Sequence, residues 1–291
     1  MSNVMAQTLT AERWRSFRTA AWLGWQIESN WASPFLFSVY AVAKPLAMAG
    51  ILVAIYATAT RGNFAAPVFT YIYLGNAFYL YVGAVMTGMA YAVIDDRERY
   101  QMLRSVYTAP VDVRFYLIGR GVARFVTGTV AVGITVLAGV LFLHVSVHAL
   151  AVNWPLFVAS LVLGVAMLAS LGLMLAGLVL LLGHLSWSIG DAVAGALYLF
   201  SGAIFPLEAL PRALRPIGLA LPLTYWLELV RRGLVGHVAQ AFPTFAGTSD
   251  ARLLVVLALQ TIVTGTIAVL VFGRCDAVAK ERGLIDRTTN Y

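Results

Sequence analysis

The sequence predicts an all-α integral membrane protein. Of its 291 residues 60% are apolar and only 11% are charged, and the mean hydropathy is +0.82, values outside the range of a soluble domain with an ordinary polar surface. The apolar residues also gather into runs of roughly 20, each able to cross about 30 Å of hydrocarbon as a helix. Those runs lack the alternation of barrel strands and are rich in Leu, Ala, Gly and Met. A spanning segment must satisfy its own backbone, which leaves helices.

The chain begins with a mixed stretch, LTAERWRSFRTAAWLGWQIESNW at residues 9–31. At helical spacing Trp14, Phe17, Ala21 and Trp25 share one face while Arg13, Arg15 and Glu28 lie elsewhere. That pattern predicts a helix in the membrane interface with its indoles at headgroup level; a frayed soluble tail is the plainer alternative. No cleavable signal peptide is expected, because the first continuous apolar run starts only after about thirty mixed residues. About six spans follow, at residues 34–59, 66–94, 115–145, 154–183, 187–205 and 253–272.

With the N-terminus cytoplasmic, the inner segments hold 13 of the 20 Lys and Arg residues and the outer segments 6, and Lys44 lies within the first span. The bias predicts a multi-pass protein of the cell membrane with both termini cytoplasmic. Topology and contact with membrane lipid then account for the net charge of +7, and no nucleic-acid partner is expected.

Several chemistries are excluded. Lysine occurs only at Lys44 and Lys280, so the chain has no G-x-x-x-x-G-K-[ST] phosphate loop and does not hydrolyse ATP by that route. His144 and His148 are four apart, His184 and His237 stand alone, and none has partners at ligand spacing, so no metal, cofactor or catalytic residue is expected in this chain. The single cysteine, Cys275, forms no internal disulfide.

Polar residues inside the spans are more informative, because charge in hydrocarbon is costly and faces a protein interior or a wet cavity. Two readings fit Lys44, directly before Pro45: it snorkels to the inner interface, or it faces a transport route. In the second span Asn76 and Tyr79 stand among Tyr71, Tyr73, Phe78 and Tyr81. These aromatics form either an interfacial belt or the lining of a substrate path.

Two segments do not fit plain spans. The first is YAVIDDRERYQMLRSVYTAPV at residues 91–111, whose charges lie between the second and third spans. Beyond them Tyr100, Leu103 and Tyr107 share a face at i, i+3 and i+7, with Arg104 beside it, so the stretch 95–109 is either a docking helix or a solvated turn. The second is SGAIFPLEALPRALRPIGLALPLTYWLELVRRGLVG at residues 201–236. Gly202, Pro206, Pro211, Pro216 and Pro222 recur too often for one helix, yet the stretch stays apolar. Short helices that dip into the membrane and return satisfy both facts; an outer loop with amphipathic helices is the alternative. Within it Glu228 is spaced to pair with Arg231 or Arg232.

This last segment resembles the permease subunits of ABC-2 type ABC exporters. The G-x-x-x-P-L-x-x-L-P pattern at Gly202, Pro206, Leu207, Leu210 and Pro211, followed by L-P-L-T-Y-x-x-E-x-x-R-x-x-x-x-G at 221–236, is similar to that family's C-terminal signature. APVDVRFYLIGR at 109–120 resembles the stretch that follows the family's coupling helix. The usual Gly-Thr pair and acidic residue before it are replaced by Gln101, Met102 and Arg104.

The resemblance implies an interfacial N-terminal helix, six spans, a cytoplasmic coupling helix at 95–109 and a re-entrant hairpin at 202–236. It implies a membrane subunit that pairs with a second permease, as homodimer or heterodimer. Two copies of a separate ATPase subunit, which binds ATP and Mg, would drive outward movement of a drug, an antibiotic or another amphipathic or lipid-linked molecule. On that reading Tyr100, Leu103, Arg104 and Tyr107 couple to the ATPase. Lys44, Asn76 and Tyr79 border the substrate path, while Gly202, Pro206, Pro211, Pro222, Glu228 and Arg231 belong to an outer gate. Glycolipid or polysaccharide export is the second substrate class. An ion-coupled transporter is the rival from another class, with Asp191 its one plausible coupling acid.

Overall fold

The computed structural model describes residues 2–30, 33–64, 66–145, 147, 151–182, 186–236 and 244–285. Trp31, His148, His184 and His237 lie outside the described residues. Among the described residues the protein is helical, without strands. Five helices are long and apolar enough to cross a membrane, which makes this a multi-pass membrane protein.

α1 (Ser2–Ser29) precedes the first of these, α2 (Pro34–Thr60). Ser33 caps α2 by accepting from the Leu36 amide, and Pro34 fits the first turn, where its missing N–H costs nothing. The next span, Pro67–Arg99, is one continuous rod. It consists of α3 (Pro67–Tyr81), a π turn at Val82–Thr87, α4 (Gly88–Ile94) and a second π turn at Asp95–Arg99. α5 is short, Leu103–Thr108, so within the stretch 95–109 the charged residues Asp95–Arg99 end the rod and only Leu103–Thr108 builds a separate helix.

α6 (Val113–Leu143) is capped by Asp112, and α7 (Trp154–Leu181) by Asn153. α8 (Ser186–Phe200) has 15 residues, about 22 Å of helix, less than the hydrocarbon thickness. The apolar run expected to continue to residue 205 stops there, because the chain turns at Gly202, whose φ is +75°. A 3₁₀ turn at Leu207–Ala209, α9 (Arg215–Ala220) and α10 (Pro222–Val235) follow before the last span, α11 (Asp250–Glu281).

The rod formed by α3 and α4 is the centre of the bundle. Tyr73, Tyr81, Met86 and Met89 are buried against α6, α7 and α10, with Met167, Leu168 and Trp226 as partners in the same core. α2, by contrast, leaves most of its apolar surface exposed, as do the outer faces of α6 and α11. Lipid tails are as apolar as these side chains, so close packing rather than burial from water draws the helices together. The crossing of α1 over α6 illustrates it: a Cβ at Gly119 would stand 2.5 Å from the Phe17 carbonyl oxygen, so only glycine permits that approach. α1 turns Ser16, Ala20 and Gly24 toward α6 and leaves Trp14, Trp22, Arg15 and Arg18 exposed.

Candidate functional site

A cavity of ≈ 780 Å³ opens between α2, the central rod, α6 and α8, with Trp25 and Glu28 of α1 at one end. Lys44, Asn76 and Tyr79 all line it. Its walls are mainly apolar, with a small set of polar groups, as in small-molecule sites. Asn76 Oδ1 accepts from the Tyr198 hydroxyl at 2.6 Å. Tyr79 donates to the Ala194 carbonyl, and its ring lies 4.5 Å from that of Tyr198. The rod and α8 are therefore joined across the back of the cavity by a tyrosine–amide cluster. The first π turn forms part of the wall through Gly83, Ala84 and Thr87.

At the end of the rod beyond the cavity, the charged run folds inward. Asp96 is 0% exposed, accepts from the Tyr116 hydroxyl at 2.8 Å and pairs with Arg120 at 3.2 Å. Arg97 donates to the Val179 and Leu182 carbonyls, both at 3.3 Å, and pairs with Glu98 at 2.9 Å. This buried network joins the rod to α6 and α7. Sequence reasoning missed it; the one signal was Tyr116 and Arg120 at i and i+4 near the start of α6.

α5 hangs from this network, since the Tyr100 and Met102 amides donate to the Asp95 and Asp96 carbonyls, each at 2.8 Å. Its other end is held by α11. The Tyr107 hydroxyl donates to Asp276 at 2.8 Å, and Lys280 pairs with the same carboxylate at 2.7 Å. Burial and the Asp276 carboxylate push the Tyr107 phenol well above its ordinary range, which keeps it a donor. Leu103 is only 3% exposed, packed within this chain, whereas Tyr100, Arg104, Ser105 and Thr108 are exposed. The shared face of Tyr100, Leu103 and Tyr107 is thus divided: Leu103 and Tyr107 turn toward the rest of the chain, Tyr100 and Arg104 away from it.

At the other end of the rod lies the proline-rich segment. Pro206 and Pro211 flank the 3₁₀ turn, Pro222 opens α10, and Gly202 makes the turn after α8. Glu228 pairs with Arg232 at 2.9 Å. Arg232 also reaches Asp250 at 2.8 Å and the Phe245 and Thr248 carbonyls, both at 2.7 Å. Arg231 turns to the rod instead, donating to the Tyr71 carbonyl at 3.0 Å and the Gly202 carbonyl at 2.7 Å. Gly75 makes room for it: a Cβ there would stand 2.0 Å from Arg231 Nη2.

Among the described residues no group of three or more His, Cys, Asp and Glu is arranged to hold a metal ion. No curated protein matches the chain. The ABC-2 type transporter family, by contrast, matches residues 16–235, from the α6-facing turn of α1 through α10. That match takes in the cavity, the inner charged network, α5 and the proline-rich segment, and the chain belongs to the ABC-2 type transporter family.

Proposed function

We propose that the chain is the membrane subunit of an ATP-driven exporter, working as a pair of permeases with two copies of a separate ATPase subunit that binds ATP and Mg. Family membership supports a permease, and such membrane components act with an ATPase partner. The observation that carries the mechanism is the continuity of the rod. It walls the cavity at Asn76, Tyr79 and Thr87 and ends in the Asp96 network from which α5 hangs.

In this reading both termini and α5 are cytoplasmic. α8 with the proline-rich segment behind it completes a sixth crossing, with the hairpin 202–236 dipping in from outside. The exposed face of α5, with Tyr100, Arg104, Ser105 and Thr108, docks on the ATPase, and Leu103 and Tyr107 fasten that helix to the permease. Closure of the ATPases moves α5, and two fixed ends transmit the motion: the Asp96 network to the rod and the Tyr107–Asp276 contact to α11. Lys44, Asn76 and Tyr79 contact an amphipathic substrate, which leaves past a gate whose closed form is held by Arg231 and Glu228.

The test is reconstitution of the chain with its ATPase subunit in liposomes. Transport of an amphipathic dye that depends on ATP hydrolysis and on both subunits is expected; flux unchanged by omission of ATP or of the ATPase overturns the reading.

A further inference from the structure

The cavity wall carries four charged side chains, and two of them form no ion pair among the described residues. Glu28 and Arg124 pair with each other at 2.8 Å. Among the described residues Lys44 forms no ion pair and only lies over the Tyr40 ring, 5.4 Å from its centroid. Among the same residues Asp191 forms no ion pair either and accepts a single hydrogen bond, from the Tyr91 hydroxyl at 2.8 Å. What remains is one cation on α2 and one carboxylate on α8, on different walls of one cavity. Along the rod, Asn76 Oδ1 is taken by Tyr198, while its amide nitrogen has no partner among the described residues and leaves two donors. Asn76 and Thr87 both line the cavity and are 11 residues apart on the rod, about 16 Å of helix. Between and opposite them the wall is apolar, with Phe37, Met48, Leu80, Ala84 and Val130.

We propose that this cavity takes a zwitterionic amphiphile, with its anionic group at Lys44, its cationic group at Asp191 and the Tyr91 ring, and its apolar body along the wall toward Asn76. The proposal rests on reading the cavity as the substrate path. The physical reason is compensation. A ligand that fills the cavity displaces water from both charges, and a buried charge without a partner is costly. A singly charged amphiphile satisfies one of the two and strips the other. A ligand with both signs satisfies both, and the ring beside Asp191 suits a quaternary or primary ammonium.

The test uses three amphiphiles with one decyl chain: decylphosphocholine, decyl phosphate and decyltrimethylammonium. Each is titrated by flow dialysis against the full chain in an uncharged maltoside detergent. Gly83→Trp supplies the background, because Gly83 lines the cavity and has open space around it. Decylphosphocholine is expected to bind about tenfold or more tighter than either singly charged compound, the scale of one charge-assisted hydrogen bond. Lys44→Gln should weaken decylphosphocholine and decyl phosphate and leave decyltrimethylammonium unchanged; Asp191→Asn should weaken decylphosphocholine and decyltrimethylammonium and leave decyl phosphate unchanged. A singly charged compound that binds as tightly as decylphosphocholine overturns the zwitterion assignment while the cavity stands as the path. Binding of all three no stronger than to Gly83→Trp overturns the cavity reading and the proposal with it.

Discussion

The guanidinium of Arg231 stacks on the ring of Tyr71, 3.6 Å from its centroid, and donates to the carbonyl of the same residue at 3.0 Å. One side chain of the proline-rich segment thereby clasps both the ring and the backbone of the central rod. Arg231 is 1% exposed and also holds the Gly202 carbonyl, so the turn after α8, α10 and the rod meet at a single planar group.

Arg231→Ala should therefore lower stability by on the order of 3 kcal/mol, because the buried Gly202 carbonyl is orphaned, at about 1–3 kcal/mol, and the contacts to the Tyr71 ring and carbonyl are lost as well. Arg231→Lys should recover only part of this, since an ammonium neither forks between two carbonyls nor stacks as a plane. The apparent unfolding midpoint in detergent is the readout, with the exposed Arg252→Ala as control. A lysine variant as stable as the native protein would remove the clasp from the account.

On α5, substitutions should sort by which way the side chain faces. Leu103→Asp buries a carboxylate inside the permease and is expected to reduce the yield of monodisperse protein. Arg104→Ala should leave yield intact and weaken binding of the ATPase. Asp276→Asn and Tyr107→Phe should leave ATPase binding intact while lowering the transport obtained per ATP hydrolysed, because they loosen α5 from α11. Pull-down and coupled transport assays separate the three classes; loss of ATPase binding in Asp276→Asn with unchanged coupling in the bound complex would contradict it.

Glu28 yields a pH prediction. Burial raises its carboxyl above 4.5, more than the neighbouring Arg124 lowers it. A group whose folded value is raised contributes its stability in full below the unfolded value, and loses it as pH rises through the folded value. Relative to the native protein, Glu28→Gln should thus gain in unfolding midpoint as the pH is brought from about 4 to neutral. The opposite slope would mean that the 2.8 Å pair with Arg124 outweighs the cost of burial.

Hydropathy alone located the long spans, since each is a predominantly apolar run of more than twenty residues. What was not legible depends on contacts distant in sequence. Asp96 and Arg97 read as part of a docking helix or of a solvated turn, and only their meeting with Tyr116, Arg120 and α7 turns them inward. The π turns carry no composition signal, because they depend on backbone bonding rather than on residue type. Spacing offered Glu228 either arginine, and the space above Gly75 draws Arg231 to the rod and leaves Arg232 for the carboxylate. The cavity brought Lys44, Asn76 and Tyr79 together with Tyr198, Asp191 and Tyr91, which no local pattern links.

The central claim is that the exposed face of α5 is where a separate ATPase engages this permease, and site-specific crosslinking tests it most directly. A photo-reactive residue replaces Arg104 in one variant and Arg252, at the far end of α11, in another, and each is expressed with the ATPase subunit. The account predicts an ATPase adduct from position 104 and none from position 252. Adduct from position 252, or none from position 104 in a complex that still copurifies, would contradict it.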